Sequence, residues 1–361
     1  MALRMSQMLR SSNELRRIKP GGAGRPAKAP VPETAAAVTA SELDPLMESQ
    51  PAEDAAEEPS EPAEAASLAV YRQLVAAAEA VFAAAAAGTA PNGHAVVTAV
   101  RAAAADLRAG DGLLAETVRQ RHDARAWPNR CANVAILGMR LGIALEYDER
   151  KTLALGLCGV MHDVGMLTLP RDMLENRRLS GEQWELLKQH PAESERMIRG
   201  FGPAFEWIAK IVVQVHERHD GSGYPKGLRG EHIHEFARII GLVDAYEAMA
   251  QPRADREARV VYNALKEIID LRNTLFDRQL IRALIYIVSI FPLGSLVKLN
   301  NGEIGRVVGT SRSHPTRPAI DVLVDARGRR LKSPRIISLQ AEPMLYIVDP
   351  AIEEGVLGVG R

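Results

Sequence analysis

Between residues 162 and 244 the chain sets imidazoles and carboxylates into segments of helical periodicity: His162-Asp163-Val164-Gly165, His190-Pro191, the run His216-Glu217-Arg218-His219-Asp220-Gly221-Ser222-Gly223-Tyr224-Pro225, and Asp244 in an apolar stretch. Side chains so far apart can meet only if the helices that carry them face one another, which is the arrangement of a helical bundle with an internal site. Such a set of donors reads as one polynuclear metal centre, since divalent ions need neutral imidazoles and ionised carboxylates on a rigid frame. Asp244 lies between Ile240, Val243 and Met249. An unpaired carboxylate would be expensive to bury there, so a metal or another cation is implied beside it.

The hydrophobic pattern agrees with a bundle. Val134, Leu137, Leu141 and Leu145 recur at threes and fours, as do Phe205, Ile208 and Val212, and Val261, Leu265, Ile268 and Ile269. Residues 112–290 are therefore predicted as almost continuous helix. Ser180 and Gln183 form a capping box opening a helix expected to run to His190, where Pro191 breaks or kinks it. Val212, Val215, His216 and His219 are predicted on one helical face. Upstream, 66–111 reads as a helical hairpin with an apolar stripe of Leu68, Tyr71, Leu74 and Val75. That stripe is thin, so the pair is expected to pack on the next domain or on a second copy, which makes a homodimer an expectation. After Phe291-Pro292 the period falls to 2, predicting strands at 295–299, 303–309, 319–325 and 335–339 with a hairpin at Asn301-Gly302. The fold class is mainly α, with a small C-terminal all-β domain over 291–348; 349–361 is a tail without readable structure. Residues 1–65, rich in Ala, Pro, Glu and Ser, are read as a disordered tail because little apolar burial offsets the entropy of ordering them.

The formal net charge is zero, which gives no support to bulk nucleic-acid binding. The first 28 residues hold seven basic side chains against one Glu, while 42–64 hold nine acidic and no basic ones, the pattern of solvated tails. Cys131 and Cys158 sit in apolar helical surroundings and read as buried small hydrophobes. A cytoplasmic protein is expected, without a membrane span or secretion signal, since no uninterrupted apolar run reaches 18 residues.

His162-Asp163-Val164-Gly165 with Pro170, the capped helix before His190-Pro191, the His-Glu…Asp-Gly-Ser-Gly-Tyr-Pro-Lys-Gly-Leu run and Ala237-Arg238-Ile239…Asp244-Ala245-Tyr246-Glu247-Ala248 together resemble the HD-GYP subgroup of the HD phosphohydrolase superfamily, over about residues 115–290. The β-rich segment beginning Pro292-Leu293-Gly294 also resembles one that follows such domains. The resemblance implies two or three metals, commonly iron or manganese, and hydrolysis of cyclic di-GMP or a related cyclic dinucleotide. In that scheme the metals stabilise the charge developing on the phosphodiester. It implies His162 and Asp163 as the namesake ligands with Asp163 as metal bridge, His190 as the next ligand, His216 as the second of a histidine pair, and Asp244 as the closing ligand. It also implies that Gly221, Gly223, Tyr224 and Pro225 form a partner or substrate loop through which signalling proteins dock; from the residues themselves, Gly221, Gly223 and Pro225 make a tight helix-to-loop transition, and Tyr224 is either a packed ring or part of that docking surface.

Three positions depart from that pattern, and a fourth departs from its three-metal form. Arg130 stands where the first histidine ligand is expected, Met166 replaces a lysine, and Val215 replaces the first histidine of the pair; Ala126 stands where a third-metal carboxylate would lie. Valine and a thioether offer little to a hard or borderline cation. The guanidinium of Arg130 stays charged and is able to pair with Asp163 or Asp244 in place of a metal. Three readings follow: an eroded site acting as a nucleotide-binding or protein-interaction module, with a divalent metal or with none; a metal-dependent cyclic di-GMP phosphodiesterase with an unusual ligand set; and a scaffold that binds no nucleotide. The alternative to the Arg130 pairing is a single weak metal on Asp163, His190 and His216, with His219 open as a substitute ligand or as a side chain filling an aromatic position; His232 and His234 are read as surface residues.

Overall fold

The computed structural model describes residues 63–120, 126–170, 173, 179–250, 267–268, 274–288, 296–309 and 317–350. The expected tails therefore lie outside the described residues, apart from the first turn of a helix at 63–65 and the strand residues 349–350, and so do Val261, Leu265, Ile269, His122 and His314. The chain divides into two compact units, one formed by Met1–Ala248 with Asn273–Asp277, the other by Met249–Arg272 with Arg278–Arg361.

The first unit is helical. Helix α1 (Ala63–Ala87) and α2 (Gly93–Ala109) form a hairpin, and Asn92 caps α2 by accepting the Ala95 N–H at 3.1 Å. Helix α3 (Gly112–Arg119) follows. Asp106 ties the three together, accepting from the Ser67 hydroxyl at 2.9 Å and the Leu113 N–H at 3.3 Å. The centre of the unit is the pair α4 (Trp127–Ala144) and α5 (Glu149–Met161). Every residue of α4 from Arg130 to Gly142 is buried, as suits a helix apolar on nearly all sides. The hairpin packs on this pair, with α1 against α4 and α2 against α5, so its stripe of Tyr71, Leu74, Ala78 and Val81 is covered by the chain's own bundle. By length and composition Ala65–Ala87 passes for a membrane-crossing helix, but Arg72 and Glu79 interrupt it and this stripe is buried.

Helices α6 (Gly181–Leu187), α7 (His190–Gly200), α8 (Glu206–Val212) and α9 (Glu235–Ala250) complete the unit. The capping box at Ser180 and Gln183 is present on both sides. Its helix stops at Leu187, short of His190, and Pro191 lies in the first turn of the next helix, where a missing N–H costs nothing. Helix α8 likewise ends at Val212, earlier than its period predicts. Beyond it the backbone tightens into successive turns, with Val215 N–H on Val212 O and Glu217 N–H on Gln214 O, and the Arg218 guanidinium takes the Val215 and Glu217 carbonyls. Residues 213–234 are mainly turns and loop, so the near-continuous helix expected over 112–290 is interrupted.

The second unit contains helix α10 (Arg278–Ile287) and an antiparallel sheet of order β4-β3-β2-β1-β5, with β1 Leu296–Leu299, β2 Ile304–Gly309, β3 Ala319–Val324, β4 Arg330–Ser338 and β5 Ile347–Pro350. Val297, Leu299, Val307, Ile320, Val322, Ile337 and Leu339 alternate inward to make its core. The β1–β2 turn uses Gly302 at φ +91°. Two features went unread in the sequence. β4 begins at Arg330 because its charged first half hides the alternation, and β5, only four residues long, gains its order from pairing with β1.

Candidate metal centre

His162 caps the C-terminus of α5, and Asp163 opens the tight 3-10 turn Val164–Thr168. Gly165 lets α7 come close: a methyl group there would overlap the His190 carbonyl and the Ser194 amide. The Ser194 hydroxyl fastens the contact, donating to His162 O and accepting the Gly165 N–H, both at 2.9 Å. This seam brings His190, the first residue of α7, beside Asp163. His216 comes from the turns after α8, and Asp244 from the buried interior of α9.

All five side chains are buried, none more than 5% exposed. His190 Nε2 and His216 Nε2 are 2.8 Å apart and lie 3.4 and 3.7 Å from Asp163 Oδ1. The other oxygen of Asp163 is 3.5 Å from His162 Nε2, which is 3.6 Å from Asp244 Oδ1. Asp163 thus belongs to two three-residue groups, Asp163–His190–His216 and His162–Asp163–Asp244, each with potential ligand atoms within 4.8 Å of one another. The Nδ1 atoms of His162 and His190 face the carbonyls of Gly159 at 2.8 Å and Leu187 at 2.6 Å. A carbonyl only accepts, so Nδ1 carries the proton in both rings and, in the neutral rings, the Nε2 lone pairs point inward.

Arg130, in the first turn of α4, reaches the same place. Its Nη2 donates to Asp244 Oδ1 at 2.6 Å, and its Nε makes an ion pair with Glu247 Oε2 at 3.0 Å. Glu247 Oε1 accepts from Asn133 Nδ2 at 3.4 Å, and Asn133 Oδ1 accepts from the Tyr71 hydroxyl of α1 at 3.1 Å. Glu247 was not singled out from the sequence as a partner. The signal was its spacing of three from Asp244, which puts both carboxylates on one face of α9. Met166 is buried in the 3-10 turn, Val215 is buried beside His216, and Ala126 precedes α4 with no side-chain donor to offer.

Charges are set by proximity at this depth. Burial opposes ionisation of Asp244, yet Arg130 and His162 hold it well below the usual carboxylate range. Asp163 is likewise held low, against burial, by His162 first and by the neighbouring His190 and His216 rings. Burial works hardest against a charge on His162, and Asp163, Cys131 and Asp244 together outweigh it, raising its pKa; burial lowers His216 to about 4, with Asp163 opposing. Arg130 is held above its ordinary value despite burial, by Asp244 first and then Glu247.

The residues fit a divalent ion. Among the described residues, His162 Nε2, Asp163 Oδ1, His216 Nδ1, Tyr224 Oη and Asp244 Oδ2 are buried without a hydrogen-bond partner. Imidazole with carboxylate suits manganese, iron or zinc better than calcium.

The loop after His216 is built onto the centre. Glu217 accepts the N–H groups of Lys226 at 2.7 Å and Leu228 at 2.9 Å, and burial raises its pKa while those bonds offset the rise. Gly223 passes so close to the Glu217 and Arg218 backbone that a side chain would not fit. Tyr224 is a packed ring: it stacks on His216 at 5.2 Å with 7° between planes, and the Tyr224-Pro225 peptide is cis. Gly221, at φ +79°, turns the chain, and Pro225 is exposed. His219 does not join the metal groups. It lines a separate small cavity with Arg218, Arg238, Leu275 and Phe276, which follows from the early end of α8. His232 is exposed as expected, whereas His234 is buried, with its Nδ1 accepting the Phe236 N–H at the start of α9.

Comparison with known proteins agrees with this architecture. Residues 115–280 match the HD domain family, and residues 296–356 match a KOW domain associated with HD domain. The chain is 29% identical over 200 residues to the cyclic di-GMP phosphodiesterase PA4108 of Pseudomonas aeruginosa, covering 55% of this chain and 48% of that protein. It is 30% identical over 193 residues to the cyclic di-GMP phosphodiesterase PdeB of Borreliella burgdorferi, covering 53% and 51%. The chain thus spans about half the length of these curated relatives. Among solved structures, Bd1817, an HDG"Y"P protein from Bdellovibrio bacteriovorus, superposes with a TM-score of 0.53 at 18% identity over 68% of this chain and 76% of that one, a likeness of fold. With their helical core, their converging histidines and aspartates and these matches, residues 115–280 form an HD domain of the HD-GYP kind.

Proposed function

We propose that this protein recognises cyclic di-GMP, or a related cyclic dinucleotide, with little or no hydrolysis, and acts in cyclic-dinucleotide signalling as a binding and protein-interaction module. The observation that carries the proposal is the guanidinium of Arg130 on Asp244 and Glu247. A fixed unit charge about 4 Å from a divalent ion costs roughly 8 kcal/mol at an effective dielectric of 20, before other groups compensate. One oxygen of Asp244, Oδ1, is therefore satisfied by the protein itself. When bound, a divalent metal held by Asp163, His190 and His216 would supply Lewis-acid polarisation of a phosphoryl oxygen. Around that position this chain offers a buried thioether at Met166 and a valine at 215, neither of which holds a phosphate oxygen. Exposed Ser222, Pro225, Lys226 and Gly227, on the loop fastened by Glu217, supply the surface on which a signalling partner would dock. Free, buried Cys131 and Cys158 support placement in a reducing cytoplasm.

The test is titration calorimetry of the full chain with cyclic di-GMP, paired with chromatography of the nucleotide after incubation with manganese or iron. Saturable binding with the nucleotide recovered intact is expected. Linear product formed over many turnovers would establish instead a phosphodiesterase with an unusual ligand set, the reading favoured by the convergence of Asp163, His190 and His216. No binding at all would leave a scaffold.

A further inference from the structure

We infer that the centre takes one divalent ion rather than two, held by Asp163, His190 and His216, with Arg130 fixed in the place of the second cation. The inference rests on the preceding reading insofar as both give Arg130 a permanent seat on Asp244. It adds which half of the centre stays open and what class of ion enters it.

The two groups that share Asp163 differ in what already fills them. In the first, the potential ligand atoms stand 2.8, 3.4 and 3.7 Å apart. Ligands about 2.1 Å from a common ion at angles near 90–110° are about 3.0–3.4 Å from one another, so small side-chain adjustments complete the shell. Leu187 O fixes the His190 tautomer, and the stacked Tyr224 ring fixes the plane of His216. The Tyr224 hydroxyl and His216 Nδ1 are buried without partners. No basic side chain is paired with His190 or His216 among the described residues.

In the second group, the Asp244 oxygen that faces His162 is the one bound by Arg130 at 2.6 Å. That guanidinium is anchored from behind by Glu247, which Asn133 and Tyr71 hold in turn, and it lies 5.6 Å from the centroid of the Trp127 ring. An arginine tethered on several sides and never deprotonated does not give way to an ion. Two imidazoles with one carboxylate favour a transition-metal ion, iron or zinc foremost and manganese more weakly, over magnesium or calcium.

Manganese alone is the probe. The full chain, stripped with EDTA, is dialysed against Mn(II), counted by elemental analysis and examined by electron paramagnetic resonance. One ion per chain with an isolated six-line signal is expected. His216→Ala should bring the count close to zero at the same free Mn(II). Arg130→His should raise it to two, with spin coupling between the ions; should that variant fail to give a cooperative melt, Arg130→Gln should admit a second, weaker ion. Two ions or none in the unaltered protein, or an undiminished count in His216→Ala, overturns the inference. The count is read without nucleotide, so a failure to bind cyclic di-GMP removes the preceding proposal and leaves this one standing. A count of two beside tight, unhydrolysed cyclic di-GMP does the reverse.

Discussion

Arg130 is the residue on which most of this molecule's chemistry turns, because it is a fully charged side chain only 4% exposed and answers two buried carboxylates at once. Removing one partner of such a group leaves charges without compensation. Arg130→Ala is expected to destabilise the protein by about 3–5 kcal/mol in urea unfolding. Because the vacated corner then resembles an ordinary ligand set, added Mn(II) should restore part of that loss, more than it stabilises the unaltered chain. Equal stabilisation of both would mean that the corner does not open. Gly165 is the other sensitive position. The methyl of Gly165→Ala would press on the His190 carbonyl and the Ser194 amide, so a loss of about 1–3 kcal/mol is expected together with weaker Mn(II) retention, read by melting and by dialysis. The family resemblance placed Arg130 at the site, and its fixed charge offered Asp163 or Asp244 as its partner. Glu247 remained unread because a carboxylate on a helix face is ordinarily a solvated one.

At the scale of elements, the hairpin of α1 and α2 is a working part of the centre, since Tyr71 of α1 ends the chain Asn133–Glu247–Arg130. Burial first, opposed by a hydrogen bond with Asn129 and helped by Glu247 and Glu116, pushes the Tyr71 phenol up to about 12. The folded pKa lies above the unfolded one, so this contribution to stability is complete below pH 10 and is lost as pH rises toward 12, with a slope of up to about 1.4 kcal/mol per pH unit. Tyr71→Phe should flatten that alkaline limb, at a cost of about 1 kcal/mol near neutrality from the lost hydrogen bond. Unfolding curves from pH 9 to 12 that match in slope for the two proteins would show that the phenol is not linked to folding. Helix periodicity was a good guide to α4 and α8 as elements and a poor one to where α8 stops. Val215 and His216 continue the apolar spacing, but the Arg218 guanidinium draws in the carbonyls and turns the chain.

For the whole molecule, the covered stripe of α1 and α2 determines what truncation does. Val96, Val100 and Leu107 of α2 and Tyr71 and Leu74 of α1 are buried in the bundle's own interior. A chain lacking residues 1–110 should therefore lose its cooperative transition in calorimetry, because apolar faces of α4 and α5 become exposed. A sharp melt from that truncation would show that the HD bundle closes without the hairpin. The sequence by itself determined the helical class, the β-rich C-terminal domain and the donors that meet at the centre, because period, turn chemistry and residue type are local properties; the three substituted positions came from the family resemblance. Only the tertiary structure decided that Arg130 reaches Asp244 across 114 positions, that Glu247 and Tyr71 hold it there, that His219 turns away and that a fifth strand extends the sheet beside β1. The reason is physical: a residue's type fixes which charge it carries, while the partner it meets depends on which helices pack together.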